Sequence, residues 1–349
     1  MRVLLGMSGG VDSSVAAAVL RDQGHEVVGV TMRLWGGESD TGCCSVADVD
    51  DARRAAQQIG VDHLVFNFSD DFDRHVVEPY VAAHASGITP NPCIECNRHV
   101  KFDRLAERAD VLGFDAVATG HHARIVERAG RHRLERGADR LKDQSYVVHM
   151  LDQPMLQRTL FPIGSMTKAE VRTRAAELGL RTAAKPDSQD VCFITSTGGR
   201  ETFLGHRIPF RRAEVRDTAG RHVGDVPAIE LVTLGQRRGL QLAGAPERRY
   251  VVDIDHDALV VTVGEERELS SGSVAVRGLS WTDRPVAGPV LVQCSAHGAV
   301  QRADLGPMGA DGSLAVTWAD PQRTVAPGQS VVFYDLSDRE VLGGGIAAR

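Results

Sequence analysis

Short apolar runs separated by amphipathic stretches fill the first two hundred positions. Val3 to Met7 is continuously apolar and predicts a buried strand, Ser13 to Gln23 keeps helical spacing, and Glu26 to Met32 predicts a second strand. Val46, Val49, Ala52, Ala55 and Ile59 recur at helical intervals up to Gly60, and His63-Leu64-Val65-Phe66 predicts the next strand. Arg98 to Leu112 has a helical pattern, Ala116-Val117-Ala118 is strand-like, and Lys168 to Leu178 is an amphipathic helix that Thr167 can cap. Strand alternating with helix predicts an α/β domain: a doubly wound parallel sheet covered on both faces.

Beyond about residue 203 the period shortens to β-branched runs broken by Gly and Pro. Glu230 to Leu234, Tyr250 to Ile254, Leu259 to Val263, Val290 to Gln293, Leu314 to Thr317 and Ser330 to Tyr334 are the expected strands. The chain therefore divides into a doubly wound domain over 1–202, a small β-rich central domain over 203–264 and a C-terminal β-barrel over 265–349.

Composition narrows the class. With 349 residues, 42% hydrophobic and 25% charged, the chain is neither disordered, collagen-like nor a coiled coil. Its 46 acidic against 40 basic residues leave a net charge of −6, so any grip on a nucleic acid must come from a local patch. No apolar run reaches the ~18 residues a membrane helix needs, and the start is not that of a signal peptide. The expected compartment is the cytoplasm, with no membrane partner.

The chemistry begins at Ser8-Gly9-Gly10-Val11-Asp12-Ser13-Ser14, between the first strand and the first helix. Adjacent glycines let the backbone turn sharply and approach an anion. Hydroxyls and the open N–H groups of the helix start can donate to phosphate oxygens. The loop has no Walker lysine and lacks the dinucleotide G-x-G-x-x-G spacing. Asp12 would repel a bare pyrophosphate, which points to a magnesium ion held between Asp12 and the phosphates. The alternative is a turn that merely joins strand to helix.

Six cysteines, at 43, 44, 93, 96, 192 and 294, are too few for a disulfide scaffold of this size. Cys93-x-x-Cys96, after Thr89-Pro90-Asn91-Pro92, reads as half a metal site, a redox pair, or one reactive thiol with an incidental neighbour. Zinc would need two more ligands and no second paired motif exists, so no tightly bound metal is expected, although an iron–sulfur cluster on Cys93, Cys96 and Cys192 stays open. Cys192, in Lys185-Pro186-Asp187-Ser188-Gln189-Asp190-Val191-Cys192-Phe193-Ile194, is either reactive or a packing thiol. Cys43, Cys44 and Cys294 read as structural or incidental.

The glycine-serine loop resembles the PP-loop of ATP pyrophosphatases. With it, Cys96 to Phe102, Ala118-Thr119-Gly120-His121, Lys142-Asp143-Gln144-Ser145-Tyr146, Cys192-Phe193-Ile194 and Gly235-Gln236-Arg237-Arg238-Gly239-Leu240 resemble, in order and across the chain, the MnmA family of tRNA-specific 2-thiouridylases. That resemblance implies ATP-dependent adenylation of the wobble uridine at its carbon 2 oxygen in lysine, glutamate and glutamine tRNAs. Sulfur then arrives from a persulfide on Cys192, supplied by a cysteine desulfurase or a sulfur-relay protein. Cys96 is implied as the thiol that works with the persulfide, releasing sulfide or attacking directly, and the pair ends as a disulfide. Carried over by position, Gly6, Met7, Ser8, Gly9, Gly10, Val11, Asp12 and Ser13 hold the ATP phosphates, and Met32 and Gly120 border the adenosine. Asn91, Pro92 and Cys93 touch the target base, and His121, Lys142, Asp143, Gln144 and Gln329 meet tRNA. His121 also reads as a satisfied core histidine, and Lys142-Asp143-Gln144 as an ordinary solvated turn.

The chain departs from the family in places. Many members carry an aspartate where Cys93 stands, so Glu95, a thiolate or water must accept a proton if that step is needed. Val226 and Ala228 replace a histidine and a glycine, and Gln293-Cys294 replaces an Arg-Tyr pair. Arg207, Arg211, Arg212, Arg216, Arg221, Arg237, Arg238, Arg248 and Arg249 concentrate in the middle of the chain as a tRNA grip or a salt-bridged surface. Two rival readings keep the PP-loop: a small-molecule ligase or amidotransferase, and an RNA-binding module with ATP as a structural ligand. A base stacked in an anticodon loop must swing out to reach a buried loop, at a cost of a few kcal/mol.

Overall fold

The computed structural model describes residues 1–34, 46–187, 191–194, 198–240 and 248–348. Cys43, Cys44 and the Ser188-Gln189-Asp190 stretch lie outside them. Five parallel strands form the first sheet, in the order β3 (Asp62–Asn67), β2 (Glu26–Arg33), β1 (Arg2–Gly6), β4 (Ala116–Thr119) and β7 (Thr159–Leu160). Alternation along β1 sends side chains to opposite faces. Val3 and Leu5 pack under α1 (Val11–Asp22), α2 (Val46–Ile59) and the helix Lys168–Glu177, while Leu4 meets Leu105, Ala106 and Ala109 on the other face. Strand order reverses between β1 and β4, so a crevice opens at their carboxyl ends, where α/β sheets bind ligands.

A hairpin, β5 (Ala123–Arg128) and β6 (Arg131–Arg136), leaves this domain toward the C-terminal part. The central sheet runs β10 (Tyr250–Asp255), β11 (Val260–Gly264), β8 (Ala213–Asp217) and β9 (His222–Val226). Glu230 to Leu234, expected as a strand, is instead a 3₁₀ turn at Ile229–Leu231. Ile229 and Val232 bury into the central core, and Glu230 accepts from the Arg211 backbone and guanidinium, which holds the turn without a ladder partner. The last domain is a closed barrel in the order β12 (Ser270–Trp281), β15 (Leu314–Arg323), β14 (Gln301–Met308), β13 (Gly288–Gln293), β16 (Ser330–Tyr334) and β17 (Val341–Ala347).

The barrel is fastened to the first domain by buried ion pairs. Arg136 is 6% exposed and reaches Asp143, Asp338 and Gln293, with its guanidinium 3.7 Å from the Tyr334 ring centre. Glu135, fully buried, faces Arg124, Arg128 and Arg339. Breaking one such pair strands a buried charge, so the seam is costly to open.

Candidate functional site

The phosphate loop lies where β1 hands over to α1. Gly10 is the N-cap and no side chain bonds into the first turn, so its N–H groups face the crevice with the positive end of the helix dipole. Gly9 has φ +72°, and a Cβ there would sit 2.3 Å from the Asp48 carbonyl oxygen, so only glycine lets the loop press on α2. Gly120, at the end of β4, is equally confined: its Cβ would lie 2.7 Å from the Ser13 nitrogen. Ser8 is exposed, whereas Ser13 and Ser14 turn their hydroxyls onto the Gly10 carbonyl at 3.2 and 2.9 Å. These two hydroxyls shape the loop rather than line its mouth. Met32 flanks Gly6.

Cations from distant segments surround the loop. Lys168 Nζ lies 2.8 and 2.7 Å from the Asp12 oxygens and 2.8 Å from Asp187, and His122 Nε2 lies 3.1 Å from Asp12. Burial works against the Asp12 carboxylate, but the His122 and Lys168 contacts outweigh it and hold it below the usual range. Lys142 and Arg172 also converge on Asp187, at 2.7 and 2.8 Å. Lys185 donates to the Gly9 carbonyl at 3.0 Å and to Asp48 and Asp51 at 2.7 and 2.8 Å. Sequence reasoning does not single out Lys168, His122, Arg172 or Lys185 as site residues, because Lys168, His122 and Lys185 reach the loop, and Arg172 reaches Asp187, only through tertiary structure; the Lys185-Pro186-Asp187 motif is the one local signal. Open helix-start amides, a close-packed glycine floor and several ammonium groups fit the triphosphate of ATP.

The fit to metals differs. Asp12 is a single carboxylate already paired with Lys168, which suits a magnesium ion carried largely by phosphates, not one held by protein alone. Among the described residues no three His, Cys, Asp or Glu side chains are grouped to hold an ion, and this includes Cys93, Cys96 and Cys192.

Two cysteines lie beside the carboxyl ends of β2 and β3. Asn91 caps the turn Pro92–Glu95 by accepting from the Cys93 N–H at 3.1 Å, and the chain continues through a π-helical stretch, Cys96–Arg104. Cys96 is 6% exposed, packed with Phe68, Phe72, Val76, Tyr80 and Val100. Cys192 joins the same cluster, partly exposed, its neighbour Phe193 wedged against Phe72, Tyr80 and Phe203 with ring centres 5.1 to 5.6 Å apart. Both are thiols. Met32 and Leu34, at the end of β2, belong to this cluster too, so the thiols and the phosphate loop share one end of the sheet.

The residues expected at tRNA are placed unevenly. Gln329 donates to the Thr89 carbonyl at 2.5 Å, just ahead of Asn91, Pro92 and Cys93. Lys142 is exposed, whereas Asp143 accepts from Arg136, the Gly137 N–H, the Ser145 N–H and the Ser145 hydroxyl. Gln144 accepts from the His122 N–H at 2.8 Å. His121 is buried between Phe102 and Phe161, with Nδ1 2.7 Å from the Thr119 hydroxyl. Burial pushes it down to about 3, assisted by Lys101 and His122, so it is neutral. In the central domain Arg211, Arg212, Arg216 and Arg221 pair with Glu230, Asp225, Glu214 and Asp217, as a salt-bridged surface would. Arg237, Arg238 and Arg248 are exposed.

Residues 1–196 match a family model described as a tRNA methyl transferase HUP domain, 201–265 a tRNA methyl transferase PRC-barrel domain, and 272–347 an aminomethyltransferase beta-barrel domain. A protein of Roseiflexus sp. named tRNA-specific 2-thiouridylase MnmA is 43% identical over 378 residues, covering 100% of this chain and 99% of its own. Its namesake in Chloroflexus aurantiacus is 44% identical over 357 residues, with 99% and 98% covered. That of Mycobacteroides abscessus is 43% identical over 362 residues, with 100% of both covered.

Proposed function

Because the chain belongs to the MnmA family of tRNA-specific 2-thiouridylases, we propose that its two sites at one sheet end perform two halves of one reaction, ATP-driven activation and sulfur transfer. The chain is a tRNA sulfurtransferase. Its domain models speak of methyl transfer, but the phosphate loop and the paired thiols suit sulfur transfer, and the full-length relatives carry that name.

ATP and the uridine are substrates. Gly6 to Ser13 with Lys168 and Lys185 would hold the phosphates, Met32 and Gly120 would border the adenosine, and Asp12 would share a magnesium ion with the phosphates. Adenylation of the carbon 2 oxygen turns a poor leaving group into AMP. The terminal sulfur of a Cys192 persulfide then bonds to carbon 2 as AMP departs, or reaches it as released sulfide. In either route the Cys96 thiolate bonds to the Cys192 sulfur, the persulfide S–S bond breaks, and a Cys96–Cys192 disulfide is left for a dithiol to reduce. The observation that carries this reading is the presence of Cys96 and Cys192 in one packing cluster beside the nucleotide crevice.

Asn91, Pro92 and Cys93 lie next to Cys96, which suits a flipped base. Gln329 stands on the barrel rim against Thr89, which suits an anticodon contact. His121, Asp143 and Gln144 would then act on tRNA by holding the shape of the Lys142 loop, and Arg237, Arg238 and Arg248 are exposed for the phosphate backbone. The wobble uridine of lysine, glutamate and glutamine tRNAs is the proposed target, and a cysteine desulfurase or relay protein in the cytoplasm the proposed donor. Nucleoside mass spectrometry of these tRNAs after incubation with ATP, magnesium and a persulfide source tests the proposal; 2-thiouridine dependent on all three supports it. Pyrophosphate release that ignores tRNA and follows an amino acid would favour a small-molecule ligase.

A further inference from the structure

Lys168 is 9% exposed, and its ammonium joins two carboxylates that are far apart in the chain. Nζ lies 2.8 Å from Asp12 Oδ1, 2.7 Å from Asp12 Oδ2 and 2.8 Å from Asp187 Oδ1. An ammonium has three protons to donate, and these three oxygens can take all of them. The residue is also held at its backbone. It opens the helix Lys168–Glu177, where Thr167 and Glu170 cap reciprocally, and its N–H donates to Asp139 at 3.0 Å.

Both carboxylates are ionised. Burial works against the Asp187 carboxylate, but Lys142 and Lys168 outweigh it and hold it below the usual range, as His122 and Lys168 do for Asp12. Asp12, Asp139 and Asp187 are thus set against Lys168, Lys142 and Arg172, with His122 Nε2 3.1 Å from Asp12. Two charged carboxylates facing one point are ligands for a divalent cation, and here a compact cation of the chain itself sits between them. A free divalent ion would have to displace that ammonium or bind beside it, leaving the crevice with surplus positive charge. Metal and triphosphate together still bring net negative charge, and the phosphate oxygens offer the displaced ammonium new acceptors.

Resting on the nucleotide site proposed above, we propose that Lys168 is a built-in counter-ion that closes Asp12 and Asp187 to a free divalent cation, so that the chain admits magnesium only together with the nucleotide. The exclusion keeps Asp12 available to share the ion with the phosphates, instead of holding it jointly with Asp187.

The test is binding of Mn2+ to the full chain without nucleotide, followed by the electron paramagnetic resonance signal of the free ion. Leaving the nucleotide out removes any contribution from a contact between Lys168 and phosphate. Lys168→Met should bind Mn2+ at least about tenfold more tightly than wild type, because two carboxylates lose their shared cation. Adding Asp12→Asn to Lys168→Met should return the affinity to that of wild type, since the gained site lies at Asp12. Equal affinity in wild type and Lys168→Met, or a gain that survives Asp12→Asn, overturns the proposal. Circular dichroism checks the fold. If Lys168→Met does not fold, Lys168→Gln, which keeps a hydrogen-bond donor without the charge, is put through the same comparison and decides it. A wild-type chain that fails to bind an ATP analogue with magnesium in equilibrium dialysis would overturn the nucleotide reading instead, a result separate from the Mn2+ comparison.

Discussion

Lys168 Nζ lies 2.7 and 2.8 Å from the two carboxylate oxygens of Asp12, a residue 156 positions earlier in the chain. The phosphate loop has no lysine of its own, and this ammonium arrives from the start of a helix that Thr167 and Glu170 cap reciprocally. The capping box fixes where the helix begins, and therefore where the amine points.

Replacing Lys168 with Met should leave the fold intact and lower tRNA-dependent pyrophosphate release by about a hundredfold, the usual cost of one preorganised charge at a reacting group. Lys168→Arg should recover part of it. An unchanged rate in Lys168→Met at saturating ATP would remove this residue from the site.

Gly328 has φ +93°, and a Cβ there would lie 2.4 Å from Ile88 Cγ2 and 3.0 Å from the Thr89 carbonyl. Gly328→Ala should lift the barrel rim from the loop that leads to Cys93 and Cys96. Thiolation should fall more than pyrophosphate release. Gln329→Ala, which removes only the 2.5 Å bond to Thr89, should do so more mildly. Equal losses of both activities in Gly328→Ala would mean that the rim has no separate role.

Arg136 neutralises Asp143 and Asp338 inside the seam between first domain and barrel. Arg136→Met should destabilise the chain by about 3–5 kcal/mol, because it strands a buried carboxylate. Denaturant unfolding measures this, and a loss under about 1 kcal/mol would place the pair among exposed ones that contribute little.

Burial pushes His84, His121 and His149 down to about 4, about 3 and about 4 from the ordinary 6.5. In that interval the unfolded chain binds protons that the folded chain refuses, so stability falls as pH drops through it, by up to about 1.4 kcal/mol per pH unit for each histidine. The carboxylates of Asp12 and Asp187, held low by their partners, add to the loss only as pH falls through their unfolded value of 3.8. Melting temperature should therefore decline between about pH 6.5 and 4.5, before the carboxylates act. A flat profile over that range would mean these rings are hydrated in solution.

The parallel sheet was legible because its signals are local. Predicted strands at Val3, Glu26, His63 and Ala116 each coincide with an observed one, and Thr167 is the N-cap it was expected to be. The hairpin β5–β6 gave no such signal. Its inward positions include Glu135 and Arg136, buried by ion pairing, so the apolar alternation that marks a strand is absent. Periodicity also did not reveal the π-helical turns at Asp73–Val77 and Cys96–Arg104, because an apolar pattern does not distinguish them from α-helix.

At the site, the loop glycines and the cysteine motifs could be read directly, because their chemistry is contained in a few adjacent residues. The cations could not. Lys168, His122 and Lys185 act through contacts spanning 110 to 176 positions, and a lysine in a helix pattern looks solvated until the fold buries it.

The account depends most on Cys96 and Cys192 acting together on an activated base, and Cys96→Ser and Cys192→Ser measure this directly. With ATP, magnesium, a persulfide donor and tRNA, nucleoside mass spectrometry should find no 2-thiouridine from either variant, while both still bind ATP. Wild-type yield of 2-thiouridine from either serine variant would contradict the two-thiol reaction.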